Sequence, residues 1–147
     1  MNRTRNAGCL LVILCSAATV SGNDPPAVQT FLTEGRLQDG AIAMQAALAT
    51  DPDSQQAHFS LGIVQFLQAI EGFGQDHYRY GLASNRAEGI VFLRLPVPVN
   101  PSPEPISADD VRHILQSVVN RLTAAEQTLE RVTSKDVVLP LPLARIS

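Results

Sequence analysis

The residues whose types could do chemistry lie together near the middle of the chain. Asp76 and His77 are followed by two tyrosines, Tyr78 and Tyr80. A carboxylate, an imidazole and phenolic hydroxyls can bind a small polar ligand, or act as acid and base in a hydrolytic reaction. The same residue types suit a solvated connection whose tyrosines pack on helices. The cluster is therefore a candidate ligand or hydrolytic site, with a structural role as the alternative.

Other catalytic patterns are weaker. Asp109, Asp110 and His113 are close in sequence, but acidic residues are what the first turn of a helix favours. No serine lies in a nucleophile-elbow pattern, and the sequence GFG at 72–74 lacks the third glycine and the preceding strand of a dinucleotide-binding loop. We predict no catalytic residue and expect the protein not to be an enzyme.

Metal and cofactor signals are also missing from the sequence. His58, His77 and His113 have no second ligand at a spacing typical of metal sites. Both cysteines, Cys9 and Cys15, lie in the N-terminal segment that we expect to be removed. We therefore predict neither a metal nor a cofactor.

That N-terminal segment, residues 1–22, has the layout of a secretory signal peptide. Two arginines precede an apolar run of about 14 residues, and small residues follow. A helix that spans a membrane needs about 20 apolar residues, so we expect cleavage and no stable anchor. This predicts an exported protein, periplasmic or extracellular.

The rest of the chain, residues 23–147, has the length and apolar content of one domain. Without the two N-terminal arginines it holds 9 basic and 14 acidic residues, a net charge of −5. This balance argues against nucleic acid or an anionic membrane as the partner. The oligomeric state cannot be predicted from it.

Apolar spacing predicts a mainly α-helical fold. Residues 23–73 form short helices that stop near Gly35 and Pro52, and Ser54 or Asp53 caps the last of them. Residues 74–106 form an irregular, proline-rich connection. A long helix then covers 107–133, with Ser107 as its cap, and an extended tail covers 134–147.

Prolines shape two apolar segments. Residues 90–106 contain five of the ten prolines, and the sequence LPLP near the C-terminus echoes LPVP at 95–98. Alternate prolines block only one edge of a strand, so the two segments can pair as a short ribbon through their intact edges. Polyproline segments packed on the helices are the alternative.

The helices of 21–73 resemble tetratricopeptide repeats, a family of 34-residue helix-turn-helix units. With Pro52 at repeat position 32, Phe31 takes the aromatic position 11, and a second unit in register places Leu61 and Gly62 at positions 7 and 8. Val28 at the first glycine position, His58 at the tryptophan position and Gln65 at an aromatic position depart from the pattern. The resemblance covers about one and a half units, so the long helix is expected to close the array.

The resemblance implies a peptide groove lined by the inner face of each first helix. The matching positions predict a partner-binding groove formed by Gln29, Leu32, Thr33, Gln56, Phe59 and Ile63. Because its second half is apolar, we expect the long helix or a proline run to occupy it. The function expected is that of an exported adaptor or scaffold for a protein or peptide. The alternatives are the ligand site at 76–80 and a purely structural envelope protein.

Overall fold

The computed structural model describes residues 27–82 and 97–139, of which 68% are helical. These residues form four helices and no strand, which confirms the prediction of a mainly α-helical fold. In chain order the helices are α1 (Val28–Thr33), α2 (Leu37–Thr50), α3 (Gln55–Arg79) and α4 (Ala108–Leu129). The predicted signal peptide, 1–22, lies outside the described residues. In the ranges described, no helix is long and apolar enough to cross a membrane.

Local sequence explains where the first helices begin and end. Gly35, with φ of 69°, ends α1 in the left-handed conformation that glycine adopts without steric penalty. The amide of Arg36 then donates to Phe31 O at 2.9 Å, which satisfies a carbonyl at the end of the helix. Pro52 lies in the turn after α2, and the Ser54 hydroxyl accepts from the Ala57 amide at the start of α3.

Helix α3 continues to Arg79, six residues beyond the boundary at 73 that the sequence predicted. It ends at Gly81, whose φ is 63°. There the Leu82 amide donates to His77 O at 2.9 Å and the Gly81 amide to Tyr78 O at 3.1 Å. These two bonds form the glycine-terminated cap typical of helix C-termini. Glycines earlier in the segment therefore do not interrupt the helix, and the stop comes at the glycine that adopts a positive φ.

The core lies where α1, α2 and α3 meet. Five buried side chains form it: Val28, Ala41, Met44, Leu61 and Val64. Met44 and Val64 are fully buried, and partly buried leucines from α1 and α2 pack around them. The first half of α3 is held in place by packing against this small core.

Helix α4 packs antiparallel on α3. Gly62, early in α3, faces Leu129 near the end of α4, whereas Gly72, later in α3, faces Arg121, about two turns before Leu129. At both glycines the neighbouring side chain occupies the space that a Cβ atom would need. The glycines thus allow close approach of the two helices.

The described parts of the two proline-rich segments, 97–106 and 136–139, contain no strand. Val99 is 89% exposed, whereas Leu139 packs against the α1–α3 core. The remaining ribbon positions, including Pro96, Pro140 and Pro142, lie outside the described residues. In the structure, the described end of the C-terminal tail is therefore held by helices.

Candidate functional site

Two glutamines at the start of α3 hold the C-terminal tail, and we call them the glutamine clamp: Gln55 and Gln56. The Gln56 amide nitrogen donates to Val138 O at 3.0 Å, and its Oε1 accepts from the Val138 amide at 3.2 Å. A single side chain thus satisfies both backbone groups of one residue, as a neighbouring strand would. Gln56 therefore binds the tail through its backbone.

Gln55 holds the beginning of the same segment. Its Oε1 accepts from the Thr133 amide at 2.7 Å, from the Thr133 hydroxyl at 3.2 Å and from the Ser134 amide at 3.2 Å. Gln55 Nε2 donates to Asp53 O at 3.3 Å, which restrains the amide. The turn that follows α4 is therefore fixed to the first turn of α3.

Apolar packing completes the site beside the clamp. Leu139 packs against the buried cluster of α1, α2 and α3, directly after the residue that Gln56 binds. Val138 itself is exposed, as expected when successive side chains of an extended segment point in opposite directions. The site therefore combines a backbone clamp with an apolar surface against which one side chain packs.

The six predicted groove residues are distributed over α1 and α3. Gln56 is the one in hydrogen-bond contact with the tail, and Leu32 packs against the core cluster that also receives Leu139. Thr33 is exposed, and its hydroxyl donates to Thr30 O at 3.1 Å. The other three, all half-buried, are Gln29, Phe59 and Ile63.

Sequence reasoning missed Gln55, Val138 and Leu139 as site residues. Gln55 directly precedes Gln56, a predicted groove position. The sequence signal that could have found it is this pair of adjacent glutamines, because the second amide adds a donor and an acceptor at the start of the helix. Val138 and Leu139 lie 82 and 83 residues after Gln56, so local spacing does not relate them to α3. The sequence placed both residues in the extended tail, 134–147, and assigned them no role in a site.

The cluster at 76–80 does not converge on one point. His77 Nδ1 donates to Phe73 O at 2.9 Å, within its own helix, and the two rings meet edge to face at 4.2 Å. Tyr78 is exposed, and the Tyr80 ring lies under the Arg79 guanidinium at 5.2 Å. In the described part of the chain, no hydrogen bond links the side chains of Asp76, His77, Tyr78 and Tyr80 to one another.

The end of α3 is instead bound by the segment that precedes α4. Asn100 Nδ2 donates to Tyr78 O at 2.9 Å, and the Glu104 amide donates to Arg79 O at 3.0 Å. The Glu104 carboxylate accepts from Arg79 Nε at 2.8 Å, which raises the pKa of the Arg79 guanidinium above its ordinary value. These contacts satisfy carbonyls at a helix end and support a structural role for this corner.

A polar cleft of about 410 Å³ lies between α2, α3 and α4. Gln65 Oε1 is buried there without a hydrogen-bond partner, and Gln68 donates to Gln38 at 3.2 Å. Glu71 and Arg121 also line the cleft, and neither histidine nor serine does. The lining can bind a polar ligand by hydrogen bonds and through the charges of Glu71 and Arg121.

Metal-binding groups do not cluster within 27–82 or 97–139. No three histidine, cysteine or acidic side chains in these ranges are placed to hold an ion. His58 is buried, and its Nε2 lies 2.9 Å from Pro52 O, in the turn between α2 and α3. His113 lies on the exposed surface of α4. The contacts of His58 assign it to the packing of that turn.

Comparison of the chain with protein-family models, with curated proteins and with solved structures gave no match.

Proposed function

We propose that the protein is an exported, non-catalytic adaptor that binds an extended apolar segment of a partner protein or peptide at the glutamine clamp. The observation that carries this proposal is the double hydrogen bond between Gln56 and the Val138 backbone, with Leu139 on the core next to it. Residues 133–139 then occupy the site as a resident ligand with the same chemistry as the partner.

The geometry defines what such a partner must provide. Both backbone groups of the residue opposite Gln56 are bound, so proline, which lacks the amide hydrogen, is excluded there. The next residue must carry an apolar side chain of about the size of leucine, because it packs against the α1–α3 core. The side chain at the clamped position itself is exposed and is free to vary.

Tetratricopeptide-like geometry is part of the proposal. Phe31 and Gly40, at repeat positions 11 and 20, are in contact, since a Cβ atom on Gly40 would lie 3.1 Å from Phe31 Cβ. Gly62, at position 8 of the second unit, contacts Leu129 of α4. Helix α4 is antiparallel to α3 and takes the place of the second helix of that unit. Both contacts support the register on which the resemblance rests.

Competition with the tail regulates access in this proposal. A segment tethered to the same chain has an effective concentration of roughly millimolar for short flexible linkers. A partner in solution must therefore bind more tightly than the tail or meet a protein whose tail has been released. The clamp is thus a site that opens when residues 133–139 leave it.

A peptide-binding measurement tests the proposal. The Leu139→Asp variant weakens the hold on the tail, and a labelled peptide with the sequence of residues 134–142, SKDVVLPLP, is titrated into it by fluorescence anisotropy. We expect saturable binding, at least about tenfold tighter than for the unmodified protein, in which the tail competes. Far-UV circular dichroism verifies that the variant remains helical.

Controls separate clamp binding from adhesion to an apolar surface. Adding Gln56→Ala to the variant removes two hydrogen bonds and should weaken peptide binding about tenfold or more. Adding Gln45→Ala, at an exposed glutamine of α2, should leave it unchanged. The adaptor proposal fails if the Leu139→Asp variant does not bind the peptide, or binds equally well a peptide with proline at the Val138 position.

The two alternative functions predict other results. A ligand or hydrolytic site at Asp76, His77, Tyr78 and Tyr80 predicts that His77→Ala abolishes an activity or a ligand-induced thermal shift without unfolding the chain. A structural envelope protein predicts no peptide binding by the Leu139→Asp variant, whether or not the protein self-associates. We favour the adaptor because the clamp contacts, unlike those at 76–80, converge on one bound segment.

A further inference from the structure

An exposed apolar stripe runs along α4 and reaches the groove beside α3. Val111, Leu115 and Val119 follow one another at intervals of four residues and are 42%, 55% and 55% exposed. The stripe continues into a shallow groove of about 630 Å³ between α3 and α4, where Phe66 is 45% exposed. The other apolar residues that line this groove are Leu122, Ala125 and Leu129.

Such a stripe is typical of a surface that another helix covers. Apolar residues scattered singly over a surface are ordinary, but several aligned on one helix mark an interaction site. The spacing of four residues keeps the side chains on one side of the helix, where they form a ridge. The stripe therefore fits a helix as its partner.

Charges beside the stripe identify which helix fits. Arg112 lies near the beginning of α4, and Glu130 lies 18 residues later, at its C-cap. Eighteen residues make five full turns, so both side chains lie on the same side of the helix, about 27 Å apart. Glu126, one turn before Glu130, lies along the same edge. A basic side chain, Arg112, thus lies at one end of this edge beside Asp109, and two acidic side chains lie at the other end.

A second copy of α4 satisfies this pattern when it runs antiparallel. The two-fold axis then passes near residues 120 and 121, and Arg112 of each copy meets Glu130 of the other. A parallel copy would place like charges opposite each other. In the chain itself Arg112 pairs with Asp109 at an exposed position, a contact of small energy that leaves the guanidinium able to reach a partner.

We propose that two copies of the protein associate through α4, antiparallel about a two-fold axis, with Val111, Leu115 and Val119 in the interface and Arg112 against Glu130 at both ends. Leu122, Phe66 and the groove beside them receive side chains from the opposite copy. The glutamine clamp lies outside this surface, so the inference does not depend on the proposed function.

Sedimentation velocity of the purified protein, over about two orders of magnitude in concentration, tests this inference. We expect a reversible equilibrium between monomer and dimer. Leu115→Glu or Val119→Glu should weaken it at least about tenfold, because each variant places two desolvated carboxylates in the interface. Gln127→Glu carries the same charge change at an exposed position on another face of α4 and should leave it unchanged.

Charge exchange tests the antiparallel arrangement. Arg112→Glu and Glu130→Arg should each weaken the dimer about tenfold, because two attractive contacts become repulsive. The double variant should recover most of the affinity, since the two positions are too far apart to interact within one helix. All these positions are exposed, and circular dichroism verifies folding. The proposal is overturned if the protein stays monomeric at every concentration or if Val119→Glu leaves the dimer affinity unchanged. It is also overturned if the double variant dimerises no more tightly than the single variants.

Discussion

Alanine substitutions at two glycines of α3 should change the free energy of unfolding in opposite directions. Gly62 and Gly72 are both buried, and both lie against α4. Alanine is intrinsically more favourable than glycine within a helix by about 1 kcal/mol, and this gain is the same at both sites. What differs is the atom that a new Cβ would meet.

At Gly72 the obstruction is the end of a flexible side chain. A Cβ there would lie 1.6 Å from Arg121 Nη1 and 2.9 Å from its Cζ. Arg121 is exposed, and in the described residues its guanidinium makes no ion pair or hydrogen bond, so it can turn away into solvent. We expect Gly72→Ala to raise the free energy of unfolding by about 0.5–1 kcal/mol.

At Gly62 the obstruction is a packed side chain near its branch point. A Cβ there would lie 2.5 Å from both Cγ and Cδ2 of Leu129, whereas carbon atoms in contact are about 3.5–4.0 Å apart. Overpacking of this kind destabilises by about 1–3 kcal/mol, which exceeds the gain in helix propensity. We expect Gly62→Ala to lower the free energy of unfolding by as much as about 2 kcal/mol.

Urea unfolding followed by far-UV circular dichroism measures both changes at the same protein concentration. The double variant Gly62→Ala/Leu129→Ala provides the control, because it removes the obstructing side chain. Its stability should exceed the sum expected from the two single variants. The packing of α4 on α3 is refuted if the two glycine variants shift stability in the same direction, or if the double variant shows no coupling.

Three further predictions concern the core and the helix ends. Met44→Ala should lower the free energy of unfolding by about 2–5 kcal/mol, because Met44 is fully buried between helices; a loss below about 1 kcal/mol in urea unfolding would contradict the assigned core. At the start of α4 the Ser107 hydroxyl accepts from the Asp110 amide, and the Asp110 carboxylate accepts from the Ser107 hydroxyl and amide. The bond from the Ser107 hydroxyl holds the pKa of the Asp110 carboxyl below its ordinary 3.8, so this contribution to stability should be complete above the unfolded-state pKa and be lost as pH falls through the lower folded value. Thermal unfolding from neutral to acid pH should show a loss of stability that Ser107→Ala reduces, and the same loss in that variant would show that these bonds do not cap α4. Asn100→Ala removes the side-chain hydrogen bonds to the carbonyls of Tyr78 and Arg79, so hydrogen exchange at the end of α3 should become faster. Protection equal to that of the unmodified protein would show that the segment before α4 does not cap this helix.

Local physics made much of the helical fold predictable from the sequence. Apolar side chains at intervals of three and four, a stop at Gly35, a turn at Pro52 and a serine cap at residue 107 each act within a few residues. The end of α3 was predicted too early because glycine at 72 and 74 resembled an interruption. A glycine ends a helix where its backbone turns left-handed, as Gly81 does, and composition alone does not specify φ.

Only the tertiary structure decided which segments meet. The sequence alone established a mainly helical chain and singled out Gln56 by its resemblance to a repeat, but it provided no means of linking that residue to Val138. The contact joins residues 82 positions apart, and it forms only because α4 packs antiparallel on α3 and delivers the tail to the start of α3. Backbone hydrogen bonds of this kind carry no side-chain signature at the bound residue, since every residue except proline offers the same amide and carbonyl. The helices follow from local sequence, whereas the clamp depends on how they pack.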